Sequence, residues 1–319
     1  MTTSLKVESV SETLRISDMV APRKIAPDSG WRKLVHTMSF KTLNPGQSPA
    51  ERHYRELRDR IRRHIRKQYV IAVVSGKGGV GKTTMTACIG GILRECRPDN
   101  VVAIDAAPGF GTLAGRIDEA PPGDYAAVLG DPDVQGYADI REHLGQNAVG
   151  LDVLAGNRSS DQARPLLPDM FSGVLSRLRR THSVILVDTS DDLEHPVMKA
   201  VLDSSDALVF VSGLTADTAL PVTRAIDLLR SMGYHELVSR SLVVLNDSRD
   251  GYDRDIRTYL TERFSSSGAD VEFMPYDPHL ATGGIIDTRE ELRKPTRLRL
   301  FEITAAIADK YVPEADRPH

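Results

Sequence analysis

Cysteine is almost absent: Cys88 and Cys96 are the only two in 319 residues. Both fall on one predicted helix, where eight positions at ~1.5 Å rise set them roughly 12 Å apart, too far for a disulfide. They read as packing residues of a reduced, cytoplasmic protein. The nine histidines form no triad, and no Cys or His cluster has the spacing of a metal site. No apolar run approaches the ~20 residues that span a bilayer. The start, Met1-Thr-Thr-Ser-Leu-Lys6, lacks the apolar core of a signal peptide. Net charge is small too, at −3, but it is unevenly spread: residues 1–68 carry 15 Lys/Arg against 7 Asp/Glu. A basic arm therefore precedes an acidic body, which points to an anionic partner or to docking within the chain. With 40% hydrophobic and 27% charged residues, the rest suits a soluble globular core.

What is present is a phosphate-binding loop. Ser75-Gly76-Lys77-Gly78-Gly79-Val80-Gly81-Lys82-Thr83-Thr84 fits G-x-x-x-x-G-K-[ST]. Tyr69–Ser75 before it reads as a buried parallel strand, and Lys82–Cys96 after it as a helix. Glycines let successive N–H groups face one concavity, and the helix start adds its positive dipole end. Lys82 then reaches the β- and γ-phosphates, and Thr83 holds Mg²⁺. Spacing alone implies a nucleoside triphosphate with Mg²⁺; a merely connecting glycine turn would not need Lys and Thr at these positions.

Further hydrophobic runs end in polar residues. Val101–Asp105 is a predicted strand closed by an acid. Ser183–Asp188 is another, the Walker B pattern, whose Asp188 is placed to meet Thr83 and the metal. Leu151–Ala155, Ala207–Ser212, Ser241–Asn246 and a last strand from Val271 complete the set. The stretch after Leu113 and residues Pro168–Arg180, Ala216–Met232 and Pro295–Tyr311 read as helical. Strands alternating with helices force right-handed parallel crossovers. The expected fold is α/β: a doubly wound, mostly parallel sheet with helices on both faces.

The loop K-G-G-V-G-K-T-T resembles the deviant phosphate loop of the MinD/ParA family, and the resemblance covers roughly residues 69–311. It implies ATP as the nucleotide, and a homodimer in which Lys77 reaches across to the partner's phosphates. It implies catalytic roles for Lys77, Lys82, Asp105 and Asp188, and metal binding by Thr83 and Asp188. Nucleotide contacts fall on Gly76 through Thr84, on an adenine-reading Asn246, and on Pro275 and Tyr276 beside the base. Two positions depart from the family. Ala107 stands where the second acid of D-x-D-P belongs, and Ser190 stands where the γ-phosphate switch usually has Gly. Trp31, the run Ser48-Pro-Ala-Glu51, the run Asp105–Leu113 and Pro275-Tyr-Asp-Pro-His-Leu280 look more particular. They resemble the MinD-like ATPases of actinobacterial type VII (ESX) secretion, which implies a protein partner in that machinery.

Three segments are expected: an arm over residues 1–47, a basic amphipathic helix over 48–68, and the ATPase domain over 69–319. Residues 1–30 read as a poorly ordered tail and Trp31–Met38 as a short amphipathic helix. In the basic helix Tyr54, Leu57, Ile61 and Ile65 share one face and six arginines the other. That face reads either as a surface for DNA, anionic lipid or an acidic partner, or as a solvated helix docked beside the ATPase domain. Three acids, Glu51, Glu56 and Asp59, interrupt the arginines, which argues against strong nucleic-acid binding. The family's membrane-binding C-terminal helix has a counterpart in Pro295–Tyr311, where core packing is the favoured reading. Function divides between an ATP-switched dimer with slow hydrolysis, a module that senses ATP without hydrolysing it, and a partition-type ATPase. An iron–sulphur reductase of the same superfamily would need cluster cysteines that are missing.

Overall fold

The structure is a computed structural model describing residues 37–38, 47–108, 111–156, 165–251 and 253–311. The arm expected over residues 1–47 lies almost wholly outside these; of its short helix only Thr37 and Met38 are described, and both are helical. The chain divides into units Met1–Glu56 and Leu57–His319.

Helix α1 (Pro49–Ile61) runs through that division. Its start is a capping box. The Glu51 carboxylate accepts the Ser48 N–H at 2.7 Å, and the Ser48 hydroxyl accepts the Glu51 N–H at 3.2 Å. The helix expected over 48–68 stops at Ile61, so Ile65, Arg62, Arg63 and Arg66 are not on it. The apolar spacing continues, but Arg97 ends the helix: its Nη1 donates to the carbonyls of Ile61 and Arg63, both at 2.8 Å. The Ile61 carbonyl is the last of the helix and the Arg63 carbonyl lies just beyond it; a buried guanidinium satisfies both. The following arginines are engaged. Arg62 donates to the Cys96 carbonyl, and Arg60 and Arg63 pair with Asp309. Within the larger unit this is the docked arrangement rather than an open basic face.

Eight strands form one sheet among the described residues. They are β1 (Tyr69–Val74), β2 (Val101–Asp105), β3 (Gly145–Gln146), β4 (Asp152–Leu154), β5 (Val184–Asp188), β6 (Ala207–Ser212), β7 (Leu242–Asn246) and β8 (Asp270–Met274). Their order is β3-β4-β2-β5-β1-β6-β7-β8. All neighbours are parallel except the β3–β4 edge pair. Strand β1 lies between β5 and β6, and every one of its residues is buried. That is why these strands are unbroken Val, Ile, Leu and Ala runs: both faces are covered.

Val70, Ala72 and Val74 face a core shared with Phe171, Val201, Phe210 and Val222. On the sheet also pack α2 (Lys82–Cys96), which follows the phosphate loop, and the C-terminal helix Lys294–Ala308. Cys88 and Cys96 are free and buried on α2. Burial pushes the Cys88 thiol up to about 12 and the Cys96 thiol up to about 11, so both stay protonated near neutral pH. Leu300, Phe301, Ile303 and Ile307 of the C-terminal helix are buried, the core packing expected for it. No described helix is long and apolar enough to cross a membrane.

Candidate functional site

The loop Ser75–Gly81 leaves the carboxyl end of β1, the end where doubly wound sheets place ligands. Its shape depends on glycine at two positions. Gly81 caps α2 with φ of 99°, in the left-handed region. Gly76 lies so close to the backbone of Pro221 that a Cβ there would collide with it. Val80 is buried, and its carbonyl accepts the Asn246 side-chain amide at 2.8 Å. Asn246, at the end of β7, is thereby fixed against the loop.

Lys82 is only 9% exposed, and its ammonium donates to the Ser75 hydroxyl at 2.8 Å. Burial lowers its pKa, opposed by the nearby charges of Asp188 and Asp191. The Thr83 hydroxyl donates to Asp188 at 2.7 Å, and the Thr86 hydroxyl lies 3.3 Å from the same carboxylate. Strand pairing explains the meeting. Residue Val73 of β1 and Asp105 of β2 are both in register with Asp188 of β5. Burial first, and then repulsion from Asp105, raises the Asp188 pKa to about 7. A buried carboxylate beside a hydroxyl is a hard oxygen donor pair, the kind Mg²⁺ accepts. Among the described residues no three His, Cys, Asp or Glu gather as a metal cluster. A Mg²⁺ that takes its other ligands from phosphate and water does not require one.

Asp105 is also buried, and each of its two carboxylate oxygens accepts a backbone N–H. It accepts the N–H of Ala107 at 3.0 Å and of Leu113 at 3.1 Å. It thus anchors the loop that follows β2; Gly109 and Phe110 of that loop lie outside the described residues. Beyond β5, the Asp191 carboxylate comes within 3.2 Å of where a Cβ on Gly78 would stand. Asp192 is turned to its own backbone, accepting the Glu194 N–H at 3.0 Å. The Lys77 ammonium donates to Asp217, 2.5 Å off, at the start of helix Ala216–Ser231.

A cleft of about 440 Å³ opens over the loop, lined by Gly79, Gly81, Lys82, Thr83, Thr84, Asn246, Pro275 and Tyr276. The structure therefore brings most of the residues singled out from the sequence to one place. Lys77 and Asp105 are held outside the cleft lining by the partners just named, and Asp188 lies beneath it at Thr83. Arg116 and Asp247 also line it and carry no sequence signal of their own, whereas Asp277 belongs to the run Pro275–Leu280 already singled out.

A central phosphate loop, an acid at the end of the adjacent strand and a parallel sheet define a phosphate-loop nucleotide-binding protein. The chain belongs to the CobQ/CobB/MinD/ParA nucleotide binding domain family, whose match spans residues 71–316. It is similar to the ESX-1 secretion-associated protein EspI of Mycobacterium tuberculosis, with 34% identity over 291 residues. That match covers 90% of this chain and 43% of the relative, so the chain spans less than half of that protein's length. Among solved structures it resembles the cell division ATPase MinD of Pyrococcus furiosus, with TM-score 0.57, 20% identity, and coverage of 76% of this chain and 97% of that one. MinD of Pyrococcus horikoshii, solved with Mg-ADP, matches with TM-score 0.55, 20% identity, and coverage of 78% and 96%. At these identities the structural matches establish the fold.

Proposed function

We propose that the chain binds ATP with Mg²⁺ in this cleft and acts as a switch between monomer and homodimer, hydrolysing slowly. The observation that carries the reading is the contact of Thr83 with Asp188 beside a buried Lys82. Backbone N–H groups of the glycine loop and the Lys82 ammonium take the phosphate charge. Thr83 and Asp188 hold the metal, which neutralises phosphate oxygens when bound. Asn246, Pro275 and Tyr276 take the base. Lys77, released from Asp217, reaches the partner subunit's nucleotide.

Similarity to a protein named for ESX-1 secretion supports a protein partner in a type VII secretion apparatus, met on the cytoplasmic side. DNA and membrane are not favoured, because Arg60, Arg62 and Arg63 are engaged within the chain and the C-terminal helix is packed into the core.

A second reading, ATP sensing without hydrolysis, is favoured by two observations: the Ala107 side chain offers no acceptor, and both Asp105 oxygens accept backbone N–H groups. One experiment separates the two: turnover and oligomeric state measured together with ATP, with ADP and without nucleotide. ATP-dependent dimers with slow phosphate release support the first, and dimers without release the second. ATP affinity that Lys82→Ala leaves unchanged by calorimetry sinks the site assignment.

A further inference from the structure

Arg116 places a second cation in the cleft, apart from the phosphate loop. It sits half-buried on the 3₁₀ turn Ala114–Arg116, after β2. Its Nη2 donates to the Thr84 hydroxyl at 2.8 Å and to the Leu280 carbonyl at 3.2 Å. Its Nη1 donates to the Gly284 carbonyl at 3.1 Å. These contacts use three of the five N–H donors of a guanidinium, and every acceptor is neutral. Among the described residues no carboxylate forms an ion pair with it. Asp277, on the same wall, is taken by the backbone N–H groups of His279 and Arg293, both at 3.0 Å. Asp247 accepts the Arg249 N–H at 3.3 Å. A guanidinium partly withdrawn from water without a counter-charge is costly until an anion completes it. Its planar fork suits a phosphate better than a point charge does.

We propose that Arg116 contacts the α-phosphate of the nucleotide in this cleft, an assignment that rests on the ATP reading above. Position chooses the phosphate. Arg116 touches Thr84, one residue beyond the Thr83 assigned to the metal. It also touches Leu280 and Gly284, just past Pro275 and Tyr276 at the base end. It therefore spans from the phosphate loop toward the base, where the phosphate nearest the ribose lies. An α-phosphate contact is common to ATP and ADP. It sets affinity for both and does not discriminate between them.

The test is calorimetry with MgATP and MgADP at low and high salt, on wild type, Arg116→Ala and Arg116→Gln, with melting of each protein free of nucleotide. Gln keeps N–H donors for the carbonyls but has no charge, so it reads the electrostatic contact even where Ala fails to fold. The expected result is loss of affinity for both nucleotides by the same factor, roughly 10–100-fold, with a like loss for AMP titrated alongside; AMP affinity left unchanged would move the contact to the β-phosphate and overturn the assignment. The salt dependence should be shallower in both variants. A loss confined to ATP would move the contact to the γ-phosphate and overturn the assignment. Unchanged affinity with a lowered melting temperature would leave Arg116 as a strap between loops, which also overturns it. Wild type that binds neither nucleotide sinks the ATP reading and this assignment together. Wild type that binds while Gln binds equally well sinks only Arg116.

Discussion

The ammonium of Lys77 lies 2.5 Å from the carboxylate of Asp217 on its own chain. The hydrogen bond from Lys77 holds the Asp217 pKa down to about 2. Depression of an acid's folded-state pKa gives a contact that is present above the ordinary carboxylate range and lost only as pH falls through about 2. Ordinary pH changes will not release Lys77. Salt will, because both groups are largely exposed. On the dimer reading this pair competes with the partner's nucleotide for Lys77. Asp217→Ala should raise the dimer fraction several-fold at limiting ATP in low salt, measured by light scattering. The difference should close at 1 M salt, where the screening length is about 3 Å. Equal dimer fractions at low salt would remove the competition.

Asp188 titrates in the opposite sense. Its folded pKa is raised to about 7 by burial and by Asp105, so ionisation is unfavourable in the nucleotide-free protein. The native state then holds a proton that the unfolded chain has lost, and stability declines as pH rises from about 4 through 7. Asp188→Asn removes that charge. It should raise the melting temperature of nucleotide-free protein at pH 8 and leave it nearly unchanged at pH 4, a gain on the order of 1–3 kcal/mol. The same variant should lose Mg²⁺-dependent stabilisation by ATP. A pH–stability curve identical to that of wild type would show that Asp188 does not titrate as described.

Turnover should depend on Asp191. Asp105 is held by two backbone N–H groups, and Asp192 caps its own turn. Asp191 is the acid left facing the loop, at Gly78. We expect wild-type phosphate release well below about 1 s⁻¹ at saturating ATP. Groups that orient or deprotonate water typically contribute about 10²–10⁴-fold. Asp191→Asn should therefore lower the remaining rate by at least tenfold with ATP affinity retained, and Ala107→Asp should raise it. Brisk wild-type turnover indifferent to both changes would place the chemistry on another residue.

Arg97 should be a stability residue. It is 5% exposed, pairs with Asp99 and closes the end of α1 through two carbonyls. Arg97→Ala leaves those carbonyls and a half-buried carboxylate without a partner. The expected loss is about 2–5 kcal/mol by denaturant unfolding. Arg97→Lys should recover only part, since one ammonium cannot span all three acceptors. A loss below about 0.5 kcal/mol, the usual range for surface changes, would mean that water replaces the guanidinium.

Much of the fold was legible because it rests on local chemistry. The runs ending at Asp105, Asp188, Ser212 and Asn246 are buried strands whose polar ends emerge on one edge. The phosphate loop reads from spacing, and its meeting with Asp188 follows from β1 pairing with β5. What escaped depends on neighbours distant in sequence. Arg116 is an unremarkable arginine until Thr84, Leu280 and Gly284 close around it. Asp217 acquires meaning only beside Lys77. The end of α1 at Ile61 was hidden because apolar spacing continues to Ile65 while Arg97, more than thirty positions on, closes the helix. The short helices Tyr125–Gly130, Tyr137–Arg141 and His235–Ser239 hold too few turns to show a period, and Arg254–Ser266 carries a mostly exposed, polar surface.

Gly76 has no side chain to separate the phosphate loop from the backbone of Pro221. The loop consequently has no slack on that side, and the helix bearing Pro221 has none toward the loop. A joint without slack transmits displacement instead of absorbing it. That helix shows Leu220 to solvent, 56% exposed, one residue from the joint. A shift of the helix at this contact would press on the loop, and a rearrangement of the loop would press on the helix. Thermodynamic reciprocity makes the two effects equal in free energy. A molecule leaning on Leu220 would tighten or loosen nucleotide by the same factor that nucleotide tightens or loosens the molecule.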